Sequence, residues 1–149
     1  MNRALGTPYE ISLRIQIMLA EAKGQSFTID RITALDFMAV YANDFRLSDS
    51  NLHGHSSYRF GEFAGRRELV RDGLKILVLN GTVNAGCSDN GFVYSINQAG
   101  TDFVAKLESA YAFAYKALIS KTLAFSNNKS DRALVQLINR QTVMSLQEG

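Results

Sequence analysis

Apolar residues recur at helical spacing along most of this chain, and the single interruption is a short stretch of alternation. Ile11, Ile15, Met18, Leu19 and Ala22 fall on one side of a first helix, which commits that face to a core. Thr7-Pro8-Tyr9-Glu10 marks its start: Thr7 is a cap, Pro8 occupies the tolerated first helical position and Glu10 completes the capping box. Lys23-Gly24 ends it. Thr28 then caps a second helix that carries Ile32, Leu35, Met38, Ala39 and Tyr41 and ends near Asn43. Residues 44–57 are polar and without periodicity, longer than the turn of a compact helix-turn-helix, and so form a candidate contact loop. The pattern predicts a third helix over 62–80 that buries Phe63, Val70, Leu74, Leu77 and Val78 and stops at Gly81.

The alternation follows at once. Thr82-Val83-Asn84-Ala85 and Phe92-Val93-Tyr94-Ser95-Ile96 read as two strands, joined through Ser88-Asp89-Asn90-Gly91. Asn-Gly is the pair a tight hairpin prefers when both turn residues need positive φ. A third helix followed by a hairpin predicts a mainly α (α+β) fold of the winged helix-turn-helix type, with the two-stranded hairpin as the wing. From Asn97 or Thr101 onward, Phe103, Val104, Leu107, Tyr111, Phe113, Tyr115, Leu118, Ile119, Leu123 and Phe125 put too much apolar surface on one exposed helix. The stretch therefore breaks near Ser109 or packs on more than one side. After a loop at Ser126-Asn127-Asn128-Lys129-Ser130, Ser130 caps a last helix with Leu134, Val135, Leu137 and Ile138. One domain over 1–149 is expected, a winged-helix core at 8–100 with a helical extension at 101–149.

Composition narrows the function. The 149 residues are 46% hydrophobic and 20% charged, ordinary globular usage. No apolar run approaches the roughly 18 residues of a membrane span, and Met1-Asn2-Arg3-Ala4-Leu5-Gly6 lacks a signal-peptide core. With Cys87 as the single cysteine, no disulfide can form within the chain, and a reducing, cytoplasmic location is expected. A net charge of +2 is too small for a nucleic-acid coat, so any phosphate binding must come from local clustering.

The chain offers little to a catalyst, a metal or a cofactor, and none is expected. His53 and His55 supply two imidazoles, which do not make a metal site, and nothing near Cys87 argues for a reactive thiolate. Gly61, Gly65 and Gly73 lack the lysine and hydroxyl of a phosphate loop and fit close helix packing instead. Asp30, Asp36, Asp44 and Asp49 lack the spacing of a calcium loop and read as a solvated acidic edge.

One constellation stands out. Arg59, Arg66, Arg67, Arg71 and Lys75 lie on or before the helix that a winged helix lays into the major groove, where arginine forks match guanine edges and phosphates. The same span holds Glu62, Glu68 and Asp72, and the three-apart pairs Glu68 with Arg71 and Asp72 with Lys75 equally suit a solvated helix face. Tyr111, Tyr115 and Leu118 form a stripe beyond the wing that is either a partner-facing or self-associating surface, as in a homodimer, or core.

The chain also resembles a known family. Tyr58-Arg59-Phe60-Gly61-Glu62, Arg66-Arg67-Glu68-Leu69-Val70, Gly73-Leu74, Gly91-Phe92-Val93-Tyr94 and Ala99-Gly100-Thr101-Asp102-Phe103 carry the likeness, with Asp36, Asn43-Asp44-Phe45 and Leu107-Glu108-Ser109-Ala110-Tyr111. In order and spacing they resemble the middle component of ABC-three-component antiphage and antiplasmid systems of bacteria, which include the Lamassu type. The resemblance implies a non-catalytic subunit beside an SMC-like or Rad50-like ABC ATPase and a separate effector, often a nuclease, with DNA contact inside the complex. The alternative is a stand-alone winged-helix transcriptional regulator. Charge separates them, because a lone DNA reader should have a basic wing, and no lysine or arginine lies between Thr82 and Ile96.

Overall fold

A computed structural model describes residues 8–52 and 59–148 of the chain. It is mainly helical with a small antiparallel sheet. Helix α1 (Pro8–Glu21) leads through strand β1 (Phe27–Thr28) to helix α2 (Ile29–Val40) and a 3-10 turn at Ala42–Phe45. Helix α3 (Arg59–Leu79) precedes the hairpin of β2 (Val83–Ser88) and β3 (Gly91–Ile96), and helices α4 (Gln98–Ala105), α5 (Ala110–Ser126) and α6 (Asp131–Glu148) follow.

Helix starts are set by the expected side chains. Thr28 accepts from the Arg31 backbone N–H at the head of α2, and Ser130 does the same for Ala133 at the head of α6. The apolar stretch after the hairpin breaks at Ser109, whose hydroxyl accepts from the Ala112 N–H and starts α5. Each such cap contributes about 1 kcal/mol. The cap predicted at Thr7 lies outside the described residues. The helices after the hairpin begin at Asn97, one of the two starts the patterning offered, whose side chain accepts from the Gly100 N–H and caps α4.

The sheet has the order β1-β3-β2. Patterning missed β1, because a two-residue strand has no period: Phe27 pairs with Tyr94 and Thr28 with Val93. The hairpin turn also differs from expectation. Ser88 pairs with Gly91, and only Gly91, at φ +102°, lies in the left-handed region. Asp89 and Asn90 therefore form a two-residue turn without positive φ, and Gly91, the first residue of β3, takes the left-handed backbone that its missing Cβ makes cheap.

The core is built around α1 and α2. Both are buried on almost every side, through Ile11, Ile15, Met18 and Leu19 on α1 and Ile32, Leu35, Phe37 and Met38 on α2. Helix α1 packs on α3, α4 and α5, and α2 packs on α3, α5 and α6. Gly73 lets α1 approach α3, since a Cβ there would sit 3.4 Å from Ile11 and Ile15, whereas Gly65 faces open space. Gly100 fixes the hairpin base against α4: a Cβ would collide with the Thr82 carbonyl oxygen and the Ile96 side chain. Thr28 and Arg31 tie the head of α2 to the last two helices. The Thr28 hydroxyl donates to Asp131 over 2.6 Å, and the Arg31 guanidinium donates to Asp131 and to the carbonyls of Ser126 and Lys129 over 2.8–3.0 Å.

Candidate docking site on the third helix

Successive residues on a helix point about 100° apart, and Arg66 and Arg67 of α3 consequently serve two different faces. Arg66 turns inward. Its Nη1 donates to Asp36 Oδ2 over 2.8 Å, while Arg14 donates from Nε to Oδ1 over 2.8 Å and from Nη2 to Oδ2 over 3.0 Å. The Tyr115 hydroxyl donates to the same Oδ1 over 2.8 Å, and Arg14 Nη1 reaches the Tyr111 hydroxyl over 3.2 Å. One carboxylate thus joins α1, α2, α3 and α5. Its planar bidentate match to Arg14 is the geometry that makes a guanidinium–carboxylate pair strong.

Electrostatics explains why this buried aspartate stays ionised. Burial alone would push its carboxyl up, but the charge and hydrogen bonds of Arg14, the charge of Arg66 and the Tyr115 hydroxyl outweigh it and hold it well below the usual carboxylate range. Burial likewise works against the Arg14 guanidinium, and Asp36 reverses that and raises it. The Tyr115 hydroxyl is pushed well above its ordinary value by burial and by the neighbouring Asp36 charge. Tyr111 is pushed up to about 12 by burial, against the pull of Arg14 and with the help of Glu10, which bonds to it. Two arginines therefore face one carboxylate, and the oxygens of Asp36 are occupied by four donors. That arrangement is a structural clamp.

Arg67, Arg71 and Lys75 turn the other way. They follow one another at four-residue intervals along the rim of a groove of about 740 Å³ bounded by α3, the head of α2 and the hairpin. Its walls are apolar: Leu74, Val78 and Leu79 come from α3, and Phe92 and Tyr94 from β3. The cross-strand pairs Ala85–Tyr94 and Cys87–Phe92 place those aromatic rings on one face of the hairpin. Much of this surface is open to solvent, with Leu79 86% exposed, Phe92 65% and Val78 37%. Arg67 Nε donates to Asp30 Oδ1 over 2.7 Å at the rim, a half-exposed pair. Arg71 and Lys75 have no ion pair among the described residues, and the predicted pairs Glu68 with Arg71 and Asp72 with Lys75 do not close.

Several expectations are corrected. Arg66 is 5% exposed and belongs to the clamp, so it is no part of a contact face. Tyr115 is fully buried with its hydroxyl on Asp36, Tyr111 is half-buried on Arg14, and Leu118 packs against the core. Tyr115 is therefore core, with its hydroxyl committed to a buried charge, while Tyr111 and Leu118 keep part of their surface open. Asp36 is at the centre of the molecule, not on a solvated edge. Val78, expected in the core, opens onto the groove, because the hairpin covers only part of the end of α3. Arg67, Arg71 and Lys75 line one groove. The side chain of Arg59 and both His53 and His55 lie outside the described residues. Cys87 is exposed on β2.

Among the described residues no group of three or more His, Cys, Asp and Glu side chains is arranged to hold a metal ion. No described helix is long and apolar enough to cross a membrane. The sequence model of one protein family matches residues 4–148; its description is MC2: ABC-three component (ABC-3C) system Middle Component 2. No curated protein and no solved structure matches the chain.

Proposed function

The chain belongs to the Middle Component 2 family of ABC-three-component systems, and on that premise we propose that it is a non-catalytic, cytoplasmic adaptor of such a system. In this reading it joins an SMC-like or Rad50-like ABC ATPase to an effector, as in the Lamassu type, and it does so through the face made by α3 and the hairpin. A component of a three-component system works among partner proteins, and this face has the composition of a protein contact. The observation that carries the reading is the groove itself, where exposed Leu79, Phe92 and Val78 adjoin the cations of Arg71 and Lys75. Contiguous apolar surface rimmed by charge marks interaction sites.

The order helix, short strand, helix, helix, hairpin, with β1 completing the sheet, supports a winged-helix arrangement. Winged helices also read DNA, and Arg71 and Lys75 favour phosphate contact as a second role. The hairpin argues against a stand-alone reader. Between Val83 and Ile96 its only charged residue is Asp89, so it offers phosphates no cation.

The test is co-expression of the chain with the other proteins of its operon, followed by purification at natural stoichiometry. Recovery of one complex containing an ABC ATPase is the expected result. A chain that purifies alone and shifts one operator sequence at physiological salt would favour the regulator instead.

A further inference from the structure

The walls of the groove differ from a sheet edge in a way that bears on what can enter it. Phe92, Tyr94 and Ala85 present a face of the hairpin, and Leu74, Val78 and Leu79 present side chains of a helix. Beside the groove β3 is paired on both sides at Val93 and Tyr94, and only Gly91 and Phe92 keep an open edge beyond β1, too short a row for an extended segment to pair along. An extended segment lying there would leave its own backbone groups facing apolar side chains, at a cost for every one left unpaired. A helix brings its hydrogen bonds with it and needs only side-chain recognition. The space fits: about 740 Å³ corresponds to roughly one and a half turns of a helix 10–12 Å across.

Charge specifies the helix further. Arg67 is engaged by Asp30 at one end of the rim, while Arg71 and Lys75, four residues apart on the same ladder and over the apolar floor, have no ion pair among the described residues. Glu68 and Asp72, the acids nearest in sequence, do not line the groove. Side chains four apart on a helix lie about 5–6 Å from one another, a spacing that two carboxylates at the same interval on a second helix would match. Nucleic acid fits the cations and leaves the exposed leucine and phenylalanine unexplained.

We infer that the groove between α3 and the hairpin receives an acidic amphipathic helix from another protein of the same system, with apolar anchors against Leu79 and Phe92 and carboxylates against Arg71 and Lys75. This rests on the adaptor reading and specifies the occupant of its contact face. The partner segment is recognisable by its chemistry: apolar residues at i, i+3 or i+4 and i+7, and two or more acidic residues flanking them four apart.

The experiment uses the full chain in the complex assembled from its operon, with a photo-reactive phenylalanine analogue in place of Val78, and maps the linked peptide by mass spectrometry. The expected result is a link to a segment with that pattern. Links to DNA alone, to a segment without the pattern, or to no partner in an intact complex would overturn the inference while leaving the adaptor reading in place. Failure of the unsubstituted chain to enter any complex would instead overturn the adaptor reading, and the inference with it. As a second arm, Arg71→Glu with Lys75→Glu is expected to weaken assembly at least about tenfold, and exchanging the linked segment's acids for lysines is expected to restore it. Weakening without such restoration would contradict charge matching. Both substituted residues are exposed and have no ion pair among the described residues, so folding of the free chain serves as the internal control.

Discussion

The clamp around Asp36 and the groove beside Arg71 share one helix and obey opposite rules. In the clamp, every charge is desolvated and acceptable only because its partners are fixed: Arg14 and Asp36 have no exposed side-chain surface, and Arg66 has 6%. In the groove, the cations sit in water, and the apolar side chains are the ones out of place, Leu79 above all at 86% exposure. Polar groups buried and apolar groups exposed are the two departures from ordinary burial that carry information. Here the first explains how four helices hold together, and the second points to what the folded chain does next.

The sharpest way to break the clamp is Asp36→Ala. It strands two buried guanidiniums, and loss of one partner from a buried charged network costs about 3–5 kcal/mol, enough to unfold much of the free chain in a urea titration. Tyr115→Phe removes only one hydroxyl and keeps the ring, so a smaller loss of about 1–3 kcal/mol is expected. Equal stability of that variant and the parent would mean that the tyrosine acts through packing alone.

Acid should act on the clamp in the same direction. The folded-state value of Asp36 lies below the unfolded one, near 3.9, so its contribution is fully present above about pH 5 and is lost as the pH falls through the unfolded value toward the folded one. Unfolding free energy followed from pH 6 to 3 should decline, and an Asp36→Asn chain, where folded, should decline less. An unchanged slope would remove the aspartate from the account.

The groove should show the converse behaviour. Leu79→Glu and Phe92→Glu replace exposed side chains, and each should change the stability of the free chain by no more than about 0.5 kcal/mol. Arg67→Ala removes a half-exposed pair with Asp30 and should cost about 0–1 kcal/mol, less at high salt. A larger loss from either would mean that this face contributes to folding.

Much of this was legible in the chain before any coordinates. Helical spacing located α1, α2 and α3, and Thr28 and Ser130 announced their helix starts because a cap is a local bond between neighbours, whereas a break near Ser109 was one of two readings of the long apolar stretch. The strand β1 was not legible, since its pairing partner lies about 66 residues away and two residues carry no period. The clamp left a signal that patterning by apolar residues passes over. Asp36 interrupts Ala34-Leu35-Asp36-Phe37-Met38-Ala39-Val40, and Arg14 interrupts Ile11-Ser12-Leu13-Arg14-Ile15. A lone charge inside a largely apolar helix run is best buried with a partner, which the two opposite signs satisfy in each other. Nothing local told Arg66 from Arg67; that distinction appears only once α3 is docked on α1 and α2.

The most direct test of the central claim, that α3 is structural on one side and a contact surface on the other, is the affinity of a Leu79→Glu, Phe92→Glu chain for the remaining proteins of its system. The account predicts that this chain folds with parental stability and binds at least about tenfold more weakly, as for a pair of interface anchors. Unchanged affinity in a folded chain would contradict it.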